Sequence, residues 1–387
     1  MSADGARLSI GITCFSTFGG SGVVAAEIAL SLARRGHAVH VFSDARPSRL
    51  TQAQAGVVFH GVEAPAYPQL AHDLYTLALA SKIVEVARRD GLDLIHAHYA
   101  IPHAVSAGLA RQILAAEAPA RTVRVVTTLH GTDTTLVGID PSFLPLTRFS
   151  VVASDAVTVP SSWLADVTRR HLALPATFTI DVVPNFVDTQ RFAPRAAPVR
   201  PSTPDVPVVV HVSNFRPLKR ADDVVRVFAL VRARRPARLR LVGDGPTLAD
   251  ARALARSLDV AADVDCLGER DDLPAQLADA AVFLLPSASE SFGLAALEAL
   301  ACGVPVVASD VGGLPELVPQ GEVGFLHPVG DCRAMAESVG ALLDDLDLRA
   351  RLGRAGRARA EARFRTEPAV DRYEAVYRRV MGTPRAT

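Results

Sequence analysis

The feature that most constrains the fold is a regular alternation of short apolar, β-branched runs with segments of helical spacing. Strands alternating with helices indicate a parallel sheet with helices on both faces. In the first half, strands are predicted at LSIGITCF, HAVHVFS, DLIHAHY, RVVTTLH and DAVTVPS, and helices at VVAAEIALSLARRG, around residues 75–89 and after Pro102. The first two strands and the helix between them make a βαβ unit.

The same alternation returns after a segment rich in proline. Residues 189–205 have turn formers and no lasting periodicity, so we predict a linker between a first domain at 1–188 and a second at 206–387. Second-domain strands are predicted at VPVVVHVS, ARLRLVGDG, DVDCLG, AVFLLPS and VPVVAS, with helices from about Asp222, after ARLRLVGDG, from about Gly293, and from Asp331 to near Arg379. The expected fold class is α/β, with two Rossmann-like doubly wound domains and a ligand site between them.

Charge and composition exclude several classes of function. The 41 basic and 41 acidic side chains balance, which argues against a nucleic-acid partner or stable membrane association. No apolar run approaches the roughly 20 residues that span a bilayer, and no leader pattern is present, so we expect a cytoplasmic protein. The four cysteines lie far apart, without disulfide or zinc-finger spacing. Assembly into a homo-oligomer stays open.

Small residues open the first predicted helix. Gly20, Gly22 and Ala25 match G-x-G-x-x-A, and Asp44 ends the next strand at the spacing of a ribose-binding acid. This pattern is typical of a nicotinamide-dinucleotide site, but small residues also simply permit a tight turn. In either case, N–H groups at a helix start suit an anion or the oxygens of an acceptor.

Four histidines in or after the predicted strands DLIHAHY and RVVTTLH are candidate site residues. His130 follows RVVTTL, where it could bond a sugar hydroxyl, take part in proton transfer, or simply pack. His96, His98 and His103 suggest a metal cluster, but no acid or cysteine partners them at a defined spacing. We therefore expect no metal site among them.

The loops after second-domain strands carry charged residues. Glu290 lies in the loop after AVFLLPS and Glu298 a little over one turn into the next helix, where carboxylates could bind ribose and hexose hydroxyls. N–H groups of residues 291–294 could receive a phosphate. Lys219 is one of only two lysines in a chain that otherwise uses arginine, which favours a diphosphate role over a solvated loop charge. The Gly243–Gly245 turn either only reverses the chain or lets backbone approach a nucleotide.

Taken together, these residues resemble the retaining GT-B glycosyltransferases of family 4, whose Glu-x7-Glu motif matches Glu290 and Glu298. The resemblance covers essentially the whole chain. The segments GITCFSTFGGSG, HAHYAIPHA, TTLHGTD, HVSNFRPLKR and SESFGL are similar to the branch of the family that begins bacillithiol synthesis. That branch transfers N-acetylglucosamine from UDP-GlcNAc to the hydroxyl of L-malate, and the resemblance implies that no cofactor or metal is required.

The resemblance also implies residue roles. Glu298 should hold the ribose, Glu290 the sugar hydroxyls and Lys219 the diphosphate, while Ser213 and Asn214 replace the Gly-Arg of many relatives. The implied catalytic residues are His130, Lys219 and Glu290. The implied donor-binding residues are Gly20, Asn214, Arg216, Lys219, Glu290, Ser291, Phe292, Gly293, Leu294 and Glu298. The implied acceptor-binding residues are Ser21, Tyr99, Thr132 and Arg148.

Alternatives stay open at this point. Tyr99 could be a strand-end aromatic, Thr132 a helix cap and Arg148 an exposed helix charge. The first alternative is a family 4 enzyme with another acceptor, such as an inositol phosphate or a lipid-linked sugar. A nicotinamide-dependent oxidoreductase would explain the first glycine turn but not the second-domain loops, and a sugar-binding relative without activity is the third class.

Overall fold

The computed structural model describes residues 7–16, 20–50, 55–64, 74–119, 123–195 and 206–382. Contacts divide them into two compact units. The first unit comprises the described residues up to Pro184 together with those from Thr366 to Gly382, and the second comprises those from Asn185 to Arg365. Each unit is built on one sheet with helices.

The first unit contains a seven-stranded sheet in which all paired strands are parallel. Its strands are β1 (Ser9–Thr13), β2 (Ala38–Ser43), β3 (Val57–Gly61), β4 (Leu94–His98), β5 (Arg124–Thr128), β6 (Ala156–Val159) and β7 (Asp181–Val182). Their order is β3-β2-β1-β4-β5-β6-β7. The order reverses between β1 and β4, the kind of position where doubly wound sheets bind ligands.

Six helices of the first unit alternate with these strands. They are α1 (Gly20–Arg34), α2 (Tyr75–Asp90), α3 (Val105–Glu117), α4 (Thr132–Thr135), α5 (Leu144–Ala153) and α6 (Ser162–His171). Val24, Ile28 and Leu32 of α1 are buried at helical spacing, which places one face of this helix on the core. Helix α2 ends at Gly91, whose left-handed conformation lets its N–H bond to the carbonyl oxygen of Ala87.

The second unit contains a six-stranded parallel sheet. Its strands are β8 (Val208–Val212), β9 (Arg238–Val242), β10 (Val264–Gly268), β11 (Val282–Leu285), β12 (Val306–Ser309) and β13 (Gly324–His327). Their order is β10-β9-β8-β11-β12-β13. Its helices are α7 (Ala221–Arg232), α8 (Leu248–Ser257), α9 (Leu273–Ala278), α10 (Leu294–Ala301), α11 (Leu314–Leu317), α12 (Cys332–Asp344) and α13 (Leu346–Arg363).

The last helix, α14 (Thr366–Gly382), belongs to the first unit. The assignment of this helix to the second domain was therefore wrong. Its face with Tyr373 and Tyr377 is buried, and the Tyr377 hydroxyl lies 2.7 Å from Nδ1 of His96 on β4. Its polar side reaches the residue that follows α1, where the Arg35 guanidinium donates to Asp371 at 2.7 Å.

The linker prediction also needs correction over its first residues. The Arg357 guanidinium donates to the carbonyl oxygens of Thr189 and Phe192, at 2.9 and 2.6 Å. Residues 189–195 are therefore packed against the second unit, while 196–205 lie outside the described residues. The parallel α/β architecture is confirmed, and no helix in the described part of the chain is long and apolar enough to cross a membrane.

Candidate functional site

The loops after β8 and β11 bring two predicted site residues together. Lys219 ends a short 3-10 turn (Pro217–Lys219), and Glu290 lies a few residues beyond β11. Lys219 Nζ donates to Glu290 Oε1 at 2.6 Å, and the two side chains are 20% and 10% exposed. The Ser287 hydroxyl donates to the same carboxylate oxygen at 2.9 Å. Two side chains thus hold the Glu290 carboxylate, and this carboxylate balances the positive charge of Lys219.

Backbone contacts fix the relative position of these loops. The Ala288 N–H donates to the carbonyl oxygen of Leu218 at 2.8 Å, which joins the Glu290 loop to the Lys219 turn. The Gly313 N–H donates to the carbonyl oxygen of Glu290 at 2.9 Å. A Cβ at Gly312 would lie 1.8 Å from that oxygen, so this position requires glycine.

The glycine turn after β9 supports the loop after β8. A Cβ at Gly243 would lie 2.0 Å from the carbonyl oxygen of Ser213, and one at Gly245 would lie 2.0 Å from that of Asn214. The Thr247 hydroxyl donates to the carbonyl oxygen of Phe215 at 2.7 Å. These glycines therefore allow the turn after β9 to pack closely against the loop after β8.

A buried histidine that the sequence analysis did not single out completes this support. His211 on β8 has Nδ1 2.9 Å from the carbonyl oxygen of Leu284, so Nδ1 carries the hydrogen. Its Nε2, 2.8 Å from the Ser213 hydroxyl, must then accept, and that hydroxyl oxygen accepts the N–H of Phe215. Burial lowers the pKa of His211 to about 4, which keeps the ring neutral and this chain of bonds intact.

Helix α10 presents its amino terminus directly after the Glu290 loop. Gly293 precedes it in the left-handed conformation, and among the described residues no side-chain hydrogen bond caps the helix. Glu298 lies one turn inside α10 and is 7% exposed. Phe292 is buried with its ring 5.7 Å from that of Phe364, so only its backbone can reach a ligand. Ser291 and Leu294 are half-buried around the same helix start.

Two further donor-site candidates remain at the surface of the β8 loop. The side chains of Asn214 and Arg216 are exposed. The carbonyl oxygen of Arg216 accepts the Lys219 N–H at 2.8 Å, which places the two cations on one turn. Their positive charges add to the partial positive charge of the α10 amino terminus.

In the first unit, His130 forms part of a buried pair of imidazoles. His98 Nδ1 lies 2.9 Å from His130 Nε2, and the two rings are stacked. Burial lowers the pKa of His130 to about 3 and that of His98 well below its usual value. Both rings are therefore neutral at pH 7, which favours a hydrogen-bonding role for His130 over a role as a proton acceptor.

Asp133 organises the backbone around His130, and the sequence analysis missed it. Its carboxylate accepts the N–H groups of Ala100, His130 and Gly131 at 3.2, 3.2 and 3.0 Å. Burial raises the pKa of Asp133 to about 6, and the three N–H donors limit the rise. The only signal in the sequence was an aspartate three residues after a strand-end histidine, which is typical of a local side-chain-to-backbone turn.

The acceptor-site candidates lie on separate elements of the first unit. Tyr99 has a positive φ of 85°, and its ring centroid lies 5.1 Å from that of His130. Thr132 begins α4, Arg148 is exposed on α5, and the buried Ser21 lies in the first turn of α1, next to the exposed donor-site candidate Gly20. The structure thus joins Tyr99 to His130, while within the described residues no hydrogen bond joins Arg148 to Tyr99 or Thr132.

The histidines considered as a metal cluster have different surroundings. His96 bonds to Thr128 and Tyr377 at 2.6 and 2.7 Å, whereas His98 bonds to His130. His103 is fully buried between the Phe15 and Tyr75 rings, and both its ring nitrogens lack a hydrogen-bond partner in the described part of the structure. Because their ring nitrogens bond to different partners or to none, these three histidines do not form one set of metal ligands in the described structure.

Two family profiles match consecutive parts of the chain. "Glycosyltransferase Family 4" matches residues 18–191, and "Glycosyl transferases group 1" matches residues 195–359. The chain is 40% identical over 375 residues to N-acetyl-alpha-D-glucosaminyl L-malate synthase of Bacillus anthracis, covering 96% of this chain and 97% of that protein. It is 30% identical over 370 residues to D-inositol 3-phosphate glycosyltransferase of Nocardia farcinica, covering 87% and 79%. The structure of Anabaena HepE in complex with UDP and glucose matches with a TM-score of 0.76 at 22% identity, covering 96% and 100%.

Proposed function

This chain belongs to glycosyltransferase family 4, and we propose that it transfers N-acetylglucosamine from UDP-GlcNAc to the hydroxyl of L-malate, the first step of bacillithiol biosynthesis. The observation that carries the proposal is the 40% identity to the Bacillus anthracis malate synthase along 96% of the chain. The reaction breaks the bond between the sugar C1 and the diphosphate and forms a bond from C1 to the malate oxygen, with retention of configuration.

The proposed site for the donor diphosphate is the turn that holds Lys219 and Arg216 together with the start of α10. The Lys219–Glu290 pair is neutral as a unit, so Arg216 and the helix terminus supply the remaining positive charge for an anion. Charge on the diphosphate increases as the C1–oxygen bond breaks. Groups already held in position therefore stabilise the transition state more than the ground state.

The proposed sites for the donor's hydroxyls are the two carboxylates. Glu290 has one oxygen occupied by Lys219 and Ser287, which leaves its other oxygen for a sugar hydroxyl. Glu298, almost buried in α10, would hold the ribose. The backbone N–H groups from Ser291 to Leu294 would bind phosphate oxygens.

The proposed acceptor site uses residues of the first unit. Malate carries two carboxylates, for which the Arg148 guanidinium, the Thr132 and Ser21 hydroxyls and the Tyr99 phenol are suitable donors. The neutral ring of His130 would orient a substrate oxygen by a hydrogen bond. Because its pKa is about 3, the departing phosphate oxygen is the better acceptor for the malate hydroxyl proton.

An acceptor panel tests this proposal. Purified protein is supplied with UDP-GlcNAc and, separately, L-malate, D-inositol 3-phosphate or another small hydroxy acid, and the products are identified by mass and by the anomeric proton coupling. We expect an α-linked N-acetylglucosaminyl malate, formed also in the presence of a metal chelator. Turnover with the inositol phosphate and none with malate would show that the acceptor is the one used by the Nocardia relative.

A further inference from the structure

A group of metal-binding side chains lies in the first unit, apart from the residues assigned to the glycosyl transfer. His40 on β2, His60 on β3 and Asp90 at the end of α2 each offer one ligand atom, and these atoms all lie within 4.8 Å of one another. We propose that His40, His60 and Asp90 form a binding site for a transition-metal ion, with Zn²⁺ as its representative.

The sheet sets the geometry of the two histidines. Strands β2 and β3 pair in parallel with Phe42 opposite His60, so His40, two residues before Phe42, projects from the same face as His60. His40 Nδ1 and His60 Nε2 face each other at 3.0 Å. At that distance one nitrogen donates and the other accepts, so at least one ring is neutral.

The distances are close to those of a metal centre. Two nitrogens bound to tetrahedral Zn²⁺ at about 2.0–2.1 Å lie about 3.3 Å apart, so the pair at 3.0 Å must open by a few tenths of an ångström. Asp90 Oδ2 lies 3.7 Å from His40 Nδ1. When the ion enters, the donating ring takes its other tautomer, and both facing nitrogens present lone pairs without net loss of a proton.

The surroundings supply the orientation and the access that such a site needs. The Arg89 guanidinium donates to both oxygens of Asp90, at 2.7–3.1 Å, and a carboxylate held in this way still has lone pairs for a metal. His40 is buried, His60 is half-buried and Asp90 is exposed, so the ion can enter from the Asp90 side and keep water as a further ligand. Two imidazoles and one carboxylate favour Zn²⁺ over Mg²⁺ or Ca²⁺.

The experiment is a calorimetric titration of the full chain with zinc sulfate alone, without nucleotide or malate. Compared are the wild type, His60→Gln, Asp90→Asn and the control His171→Gln, which removes an exposed histidine of the same unit. Cys266 and Cys332 are partly buried free thiols, and thiolates are common zinc ligands, so the readout is the difference between variants. We expect one binding step that is weakened at least about 10-fold by either site variant and unchanged in the control.

A second measurement addresses the geometry. Co²⁺ added in place of Zn²⁺ should give the intense visible absorption of a four- or five-coordinate ion, and this signal should be lost in Asp90→Asn, whose exposed position at a helix end tolerates the change. Zinc binding in both site variants that equals the wild type would overturn the proposal. Because no substrate is present, either result leaves the proposed transfer reaction to be judged by its own assay.

Discussion

Replacing Lys219 with methionine should separate its proposed catalytic role from its structural one. Lys219 and Lys82 are the two lysines of the chain, and each donates to a glutamate, at 2.6 Å to Glu290 and at 2.7 Å to Glu85. The pairs differ in burial. The side chains of Lys219 and Glu290 are 20% and 10% exposed, whereas those of Lys82 and Glu85 are 34% and 55% exposed. Lys82→Met is therefore a matched control.

The expected magnitudes follow from this difference. At an effective dielectric constant of 20, the Lys219–Glu290 attraction is about 6 kcal/mol, most of which the desolvation of the two charges offsets. Leaving Glu290 unpaired should lower the free energy of unfolding by about 2 kcal/mol, between the values for exposed and buried pairs. Lys82→Met should lower it by no more than about 0.5 kcal/mol. For catalysis, the loss of one preorganised cation should reduce kcat by about 10²–10³-fold.

Urea unfolding and steady-state kinetics with UDP-GlcNAc and malate measure the two effects. Adding Glu290→Gln to Lys219→Met removes the unpaired charge, so the double variant should recover most of the stability and none of the activity. Activity of Lys219→Met within threefold of the wild type would refute the diphosphate role. Recovery of activity in the double variant would show that the lysine serves only to neutralise the Glu290 carboxylate.

Two further predictions concern the first unit. Burial lowers the pKa of His103 to about 3, so between pH 6.5 and 3 the unfolded chain binds the extra proton and the folded state loses about 1.4 kcal/mol per pH unit from this residue. His103→Phe should therefore make the decline in the free energy of unfolding from pH 7 toward pH 5 shallower; an equal slope in both proteins would contradict this. Arg148→Gln should raise the KM for malate about 10-fold or more, by loss of a charge-assisted bond, with the KM for UDP-GlcNAc within twofold. An equal rise in both constants would show that Arg148 does not serve the acceptor.

The central strands were predictable because both of their faces are buried. Strand β11, for example, is buried at every position, which produces a short continuous apolar run in the sequence. The three strands that were not predicted lie at sheet edges: β3 is half-exposed, β7 has two residues, and β13 is mostly half-buried. An edge strand needs less apolar surface, so its pattern is weaker.

The candidate site was predictable to the extent that topology determines it. Parallel strands end at one edge of the sheet, so charged residues after β8 and β11 were expected to converge, and Lys219 and Glu290 do. The supporting residues were not predictable. His211 and Gly312 contact the backbone carbonyl oxygens of Leu284 and Glu290. Every residue has such an oxygen, so the amino-acid sequence does not indicate which residues make these contacts.

The terminal helix shows why the domain boundary could not be found from local sequence. Composition marks the proline-rich segment, but the unit to which a helix belongs depends on where its apolar face finds a partner. In α14 that partner is 281 residues away, where the buried Tyr377 hydroxyl bonds to His96. His96 in turn bonds to Thr128, and Thr128 to Thr158 at 2.5 Å, so the helix completes a polar chain across β4, β5 and β6. If α14 packed elsewhere, the Tyr377 hydroxyl and His96 Nδ1 would lose each other as partners, and a buried polar group left without a partner costs about 1–3 kcal/mol, which favours the first unit for this helix.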